Sequence, residues 1–370
     1  MNEIINKCEC CGCGGCCNAC RTNCITMQPD SEGFLYPICE EYRCDYCSRC
    51  AIICPVRYPK QRAVTPKVYA CFNNNTEERF SSTSGGIFSL LARKIIDENG
   101  VVFGATFNKK YEVVHGSAET ITDLARLRGT KYSQSRMGNA FEQIQTALRQ
   151  NRKVLFSGTP CQIAVAKNYL GRDIGNVLLV EIVCHSVPSP GVFKYYVNAL
   201  QRCYGQTIKS IDFRKKEPSW KNSQVVIEFE NKTISESVYQ NCFTCGFFNG
   251  LYSRPACHHC PSKGEFSASD LTLGDYWGIE TAHPNMDSGM GTSLVLLHTS
   301  QGEEAFQSIA SDMAVQESTL SLVVQRNPFL LHSSVPHEKR NLFFEQFAEL
   351  NQKTPSLKEF QTLIETLLTR

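Results

Sequence analysis

The chain repeats a cysteine pattern at a fixed offset. Cys10, Cys13, Cys16 and Cys20 are followed by Cys44, Cys47, Cys50 and Cys54, each 34 residues beyond its counterpart, and Pro55 follows the last. This duplication restricts the fold more than any hydrophobic pattern in the chain. Three thiolates spaced two residues apart curl the backbone around one centre, and a helix starting just after them carries the fourth thiolate away. Gly12, Gly14 and Gly15 suit a backbone that must bend sharply and present its N–H groups to bound sulfur. The 21 cysteines are odd in number and 13 of them precede residue 60, which argues against a disulfide framework spread over the fold. They read as metal ligands.

C-x2-C-x2-C-x3-C-P is the run with which bacterial ferredoxins hold two 4Fe-4S clusters, the fourth cysteine of each run serving the other cluster. Residues 1–62 are therefore expected to form a two-cluster module. Cys10, Cys13, Cys16 and Cys54 are assigned to one cluster, and Cys44, Cys47, Cys50 and Cys20 to the other. Structural zinc also uses C-x2-C pairs, but four ligands per ion give no reason for an eight-cysteine duplicated register. One departure is Arg21, which stands where the first run would carry proline.

The net charge of +2 gives no case for a nucleic-acid partner or an anionic membrane surface. No apolar run reaches the roughly 18 residues that span a bilayer; the longest, Val177–Val183, is broken by Glu181. The first residues lack the apolar core of a signal peptide, so a cytoplasmic location and no membrane insertion are expected.

Pro55, Pro59 and Pro66 mark a linker, since closely spaced prolines exclude helix. Beyond it strands and helices alternate. Ser84-Gly85-Gly86 precedes a helical spacing of Ile87, Leu90, Leu91 and Ile95; Val101–Phe107, Val154–Phe156 and Val177–Val183 read as strands; Cys161 opens a helix running to about Leu170. Strand then helix, repeated, predicts a mixed α/β domain over residues 66–300, fused to the ferredoxin module in an α+β/α/β chain. Residues 301–370 read as a helical extension with Phe343, Phe344, Phe347 and Leu350 along one stripe and no chemistry of its own.

Outside the first module, Cys161 at a helix start, Cys184 at a strand end, and Cys257 and Cys260 in Cys-His-His-Cys-Pro occupy positions where α/β proteins place chemistry. By spacing alone they read first as small apolar residues. Together with Ser84-Gly85-Gly86, Arg128-Gly129-Thr130-Lys131-Tyr132, Gly158-Thr159-Pro160-Cys161-Gln162, Val183-Cys184-His185 and Gly274-Asp275-Tyr276-Trp277-Gly278, they resemble the coenzyme F-420 hydrogenase/dehydrogenase beta-subunit family over about residues 1–300. The resemblance implies FAD beside a further 4Fe-4S cluster, the third in this chain, with its ligands on Cys161, Cys184, Cys257 and Cys260. It also implies flavin contacts from Ser84, Gly85, Gly86, Gly129, Thr130, Lys131, Tyr132 and Gly158. Ser186 stands where many relatives carry glycine.

Physical chemistry agrees with part of this. A diphosphate favours N–H groups at helix starts, and a cation such as Lys131 could raise a flavin potential; the alternative is that these glycines only make turns and Lys131 is solvated. His185, Lys131 and Asp275 are the catalytic candidates. No G-x-G-x-x-G fingerprint supports a nicotinamide site. Of the nine remaining cysteines, Cys242 and Cys245 form a further C-x2-C that reads as packing near a cluster rather than as a redox dithiol, and Cys71 and Cys203 as inert. The expected function is an iron–sulfur flavoprotein oxidoreductase passing electrons between a ferredoxin or other redox protein and a small-molecule substrate or deazaflavin-like coenzyme. The alternative is an electron-transfer subunit of a larger complex with no substrate of its own.

Overall fold

Alternation of apolar side chains along the strands decides the central architecture. Val101, Phe103, Val154, Phe156, Val177 and Leu179 point to one face of a sheet, while Val102, Leu155, Leu178 and Val180 point to the other, and all are buried. Strands buried on both faces need helices on both, and the computed structural model supplies them. It describes residues 2–3, 5–59, 62–63, 65–264 and 266–369.

In the N-terminal module two short helices, α1 (Gly15–Ala19) and α2 (Arg49–Ile53), flank a hairpin of β1 (Ile25–Pro29) and β2 (Leu35–Cys39). The α/β domain contributes β3 (Lys67–Asn73), β4 (Val101–Phe107), β5 (Val113–Ala118), β6 (Val154–Gly158) and β7 (Val177–Ile182). A three-stranded antiparallel meander follows as β8 (Ile208–Lys215), β9 (Gln224–Phe229) and β10 (Thr233–Ser237). The large sheet is completed by β11 (Leu271–Asp275), β12 (Ser293–Leu297) and β13 (Met313–Ser318). Its order is β13-β3-β12-β11-β7-β6-β4-β5, with β4, β6, β7 and β11 mutually parallel at the centre and antiparallel strands at both sides.

Helix α3 (Ile87–Asp97) packs Leu90 and Leu91 on one face of this sheet. On the other lie α4 (Ala140–Arg149) and α5 (Pro160–Leu170), through Phe141, Ile144, Ile163 and Val165. The N-terminal module docks on α5: Ala19 and Ile53 join this core, and a Cβ on Gly15 would lie 2.1 Å from Val165 Cγ2. Only glycine permits that approach. A further core of aromatic side chains joins α6 (Pro190–Tyr204), the meander, α7 (Cys242–Phe248), α8 (Arg340–Asn351) and α9 (Leu357–Leu368).

The tail has a role that its sequence did not announce. Arg340 on α8 makes a two-pronged ion pair with Glu32 of the N-terminal module, at 3.0 and 2.5 Å, and its Nε donates to the Ser253 carbonyl. Beside it Ser189 Oγ donates to the Glu32 carbonyl at 2.5 Å, and Gly33, at φ 82°, meets the backbone of Gly191. The C-terminal helices thus clamp the cysteine-rich module to the sheet domain.

Candidate functional site

Cys10, Cys13, Cys16 and Cys54 line one small cavity of about 30 Å3 between the two halves of the N-terminal module. Burial raises the Cys10 thiol, Arg254 opposes that shift, and Cys54 adds to it; burial, Cys10, Cys17 and Cys54 all raise Cys16. The fourth cysteine of the second run therefore faces the first run. Burial also raises Cys50, with Cys44 and Cys47 acting on it, whereas Cys20 and Cys44 lie beside two further thiols, Cys24 and Cys39. Cys47 is exposed.

The four core cysteines come from distant elements. Cys161 sits in the first turn of α5, behind Pro160 and a Thr159 N–H that donates to Gln162 Oε1 at 3.1 Å. Cys184 leaves the end of β7. Cys257 lies in the 3-10 turn Pro255–His259, with Cys260 next after it. Burial raises Cys184, opposed by Lys263 and reinforced by Cys257, Cys161 and Cys260. Burial pushes Cys257 up to about 12, with Cys161 and Cys260 contributing. Four thiols that repel one another's charge in a buried pocket need cations or a metal to share it. Cys13 and burial raise the Cys11 thiol while Cys161 lowers it, so Cys11 stands between the N-terminal and core sets.

Two cations flank these sets. Lys263 Nζ donates to the carbonyls of Cys184 and Phe329. Arg254 is fully buried; its Nε donates to the Cys10 carbonyl at 2.7 Å, Nη2 to the Leu35 carbonyl at 2.9 Å, and Nη1 to Gln134 Oε1 at 2.8 Å. It lies over the rings of Tyr36 (4.3 Å) and Phe34 (5.4 Å). Phe34 and Tyr36 cover this guanidinium.

The ends of the parallel strands open into a cavity of about 740 Å3, where open α/β sheets place ligands. Ser84, Gly86, Gly129, Thr130, Lys131, Tyr132, Gly158, Cys184, His185, Asp275 and Trp277 all line it. Gly85 does not: it packs against the Cys71 carbonyl and Ser293, to whose hydroxyl its N–H donates at 2.9 Å. Gly86, at φ 87°, caps α3, and Gly129 takes φ 81°. The two turns are tied together, Thr130 N–H donating to Thr83 Oγ1 at 3.1 Å. The Lys131 ammonium turns back to the carbonyls of Arg126, Arg128 and Gly129, and burial lowers it to about 7. It builds its loop. The Ser84 turn is held from below by Lys216, 3% exposed, whose ammonium donates to the carbonyls of Arg79, Ser84 and Met290 at 2.5–2.7 Å.

Arg214 is the cavity cation that sequence reasoning missed. It ends β8, pairs with Asp275 at 3.2 Å, donates from Nε to Ser223 Oγ at 3.0 Å, and lines the cavity. Burial works against its charge, yet Asp275 and Tyr132 hold it above the usual arginine value. Its Nη2 is buried without a hydrogen-bond partner. His185, between Phe329 and Phe247, is lowered by burial to about 4, with Lys263 and His258 adding. It presents a neutral ring. Cys242 and Cys245 sit on α7; burial, then Glu236, raises Cys242 to about 12, and neither cysteine lines this cavity.

Acid should destabilise this architecture. Burial lowers His115 and His298 to about 4, against about 6.5 in an unfolded chain. The unfolded state then binds more protons between those values, so the stability present above about pH 6.5 falls away as pH drops toward 4. His115 Nε2–H donates to the Ser157 carbonyl and Nδ1 accepts from Ser135 Oγ, both at 3.0 Å. Urea midpoints measured from pH 7 to pH 4 should fall less steeply in a His115→Gln variant.

Comparison with known proteins follows the same region. Residues 151–321 match the family model that describes the C-terminal part of the coenzyme F420 hydrogenase/dehydrogenase beta subunit. The similarity to the coenzyme F420 hydrogenase/dehydrogenase beta-subunit family covers this segment. The matched segment holds Cys161, Cys184, Cys257, Cys260, Arg214 and Asp275. Among solved structures this protein is similar to a chain of the F420-reducing [NiFe] hydrogenase complex from Methanosarcina barkeri, studied by xenon derivatization, at 18% identity and TM-score 0.48, covering 82% of this chain and 92% of that one. No curated protein matches. Among the described residues, no helix is long and apolar enough to cross a membrane.

Proposed function

We propose that this protein is an FAD-dependent iron–sulfur oxidoreductase that passes electrons between a ferredoxin-type partner and an organic substrate or deazaflavin-like coenzyme. The observation that carries the reading is the 740 Å3 cavity, one wall made by the Ser84–Gly86 and Gly129–Tyr132 turns and another by Cys184 and His185. When bound, clusters carry single electrons and a flavin converts them to the paired electrons of organic chemistry.

The donor set suits both groups. The cysteine sets 10/13/16/54, 20/44/47/50 and 161/184/257/260 offer four thiolates each, with Arg254 and Lys263 offsetting their charge. At the cavity, Gly86 and Gly129 allow close backbone approach, and the unpartnered Nη2 of Arg214 is a fixed donor for an anionic or carbonyl edge. Tyr132 and Trp277 supply apolar walls, and the neutral His185 ring offers an N–H donor at one nitrogen and an acceptor at the other. The exposed Cys47, with exposed Tyr42, Tyr46 and Ile52 nearby in sequence, suits electron entry from a docked redox protein.

Protein prepared without oxygen should contain about twelve iron and twelve sulfide per chain and release FAD on denaturation. Absence of flavin rejects the enzyme reading. Iron near eight, unchanged by Cys161→Ala, rejects the core cluster. Turnover by the isolated chain would separate an enzyme from a subunit that only relays electrons.

A further inference from the structure

Cys24 and Cys39 belong to neither N-terminal run, yet they sit between two cysteines that do. Cys20 Sγ is 3.3 Å from Cys24 Sγ, Cys24 Sγ is 3.8 Å from Cys39 Sγ, and the sulfurs of Cys24, Cys39 and Cys44 all lie within 4.8 Å of one another. A single tetrahedral metal at about 2.3 Å from each sulfur sets the sulfurs about 3.8 Å apart. A cubane spreads its thiolates wider, because each binds a different iron atom. The spacing among Cys24, Cys39 and Cys44 fits the single ion, and Cys20, beside Cys24, supplies the fourth thiol.

The backbone builds this arrangement independently of the ferredoxin runs. Cys24 precedes β1 and Cys39 ends β2, where the Glu40 N–H donates to the Cys24 carbonyl at 2.8 Å. Cys20 caps α1, and the Asn23 N–H donates to its carbonyl at 3.2 Å. Arg43 ties the two sides: Nη2 donates to the Thr22 carbonyl at 3.1 Å and Nη1 pairs with Glu40 at 3.0 Å. A cation thus stands beside four thiolates whose complex with a divalent ion carries two negative charges.

We propose that Cys20, Cys24, Cys39 and Cys44 form a tetrathiolate site for one divalent ion, zinc or ferrous iron, which shares Cys20 and Cys44 with the outer 4Fe-4S site and excludes it. Binding displaces the four thiol protons and changes no oxidation state. The exclusivity rests on the proposed outer-cluster ligands; the tetrathiolate site does not. The outer position then has two metallated forms: an electron-carrying cubane held with Cys47 and Cys50, or a redox-silent zinc held with Cys24 and Cys39. Zinc occupancy would disconnect the entry point while leaving the inner clusters intact.

The test uses the full chain carrying Cys47→Ala and Cys50→Ala, purified without oxygen and titrated with cobalt(II). One equivalent per chain should give the intense visible absorption of tetrahedral tetrathiolate cobalt, and zinc should displace it stoichiometrically. Adding Cys24→Ala and Cys39→Ala should abolish the band; a band that survives overturns the proposal, as does its absence from the first variant. Iron content is read separately: a full complement in the Cys47/Cys50 variant rejects the outer-cluster assignment and leaves the cobalt result to decide the tetrathiolate site. Should that variant not fold, the native chain grown with limiting iron and excess zinc gives the same decision. It should lose one zinc per chain on C24A/C39A, and an unchanged zinc content overturns the site.

Discussion

Arg254→Leu should loosen the N-terminal module from the sheet domain and shift the cluster potentials downward. The guanidinium makes three hydrogen bonds, two of them to module carbonyls at Cys10 and Leu35, from a fully buried position. Hydrogen bonds from a charged group contribute about 1.5–3 kcal/mol each, and removing the donor leaves buried carbonyls without partners. A loss on the order of 4 kcal/mol is expected, which places the substitution among the severe ones. Its electrostatic effect is separable. Arg254 opposes the rise of the Cys10, Cys161 and Cys257 thiols, so it favours added negative charge on either neighbouring cluster site. Arg254→Lys should keep much of that charge effect and lose the fork. Denaturant midpoints measure the first effect and electron paramagnetic resonance potentiometry the second. A leucine variant with unchanged potentials would reject the electrostatic role.

Arg214→Leu should weaken flavin retention by roughly 10–100-fold, the equivalent of one charge-assisted hydrogen bond. The side chain is pinned by Asp275 and Ser223, and its free Nη2 belongs to a residue that lines the cavity. Removing it alone also strands the Asp275 carboxylate, so part of the damage would be structural. The double variant Arg214→Leu/Asp275→Asn removes that buried charge. It should recover stability relative to the single variant while still binding FAD weakly, and the flavin it retains should have a lower potential. Fluorescence titration with FAD after flavin removal, alongside thermal midpoints, distinguishes the two contributions. Recovery of both stability and affinity in the double variant would assign Arg214 to the fold alone.

The elements of the sheet domain were legible because their signals are local. Period-two burial marks β4, β6 and β7, Pro160 with the Thr159–Gln162 pair marks the start of α5, and Gly86 marks the start of α3. Sheet order was not legible. β11, β12, β3 and β13 come from both ends of the domain and pair mostly antiparallel, a choice made by long-range packing. The tail read as chemically silent, and it contains none of the candidate ligands; its Arg340, however, holds Glu32 some 300 residues away. Cys242 and Cys245 read as packing near a cluster; on α7, burial and then Glu236 raise the Cys242 thiol. Of the flavin candidates taken from the motifs, Gly85 alone does not line the cavity, and its lack of a side chain serves strand packing.

Ligand spacing was determined by the sequence alone. Thiolates two and three residues apart must share one loop, whatever surrounds them, so the duplicated run could be read directly. Three choices belonged to the tertiary structure: which thiols stand between the sets, where Arg254 and Arg214 sit, and how Cys24 and Cys39 meet Cys20 and Cys44. Those depend on distances between segments separated by tens to hundreds of residues. Such distances are set by docking the module on α5 and under α8, for which no local pattern exists.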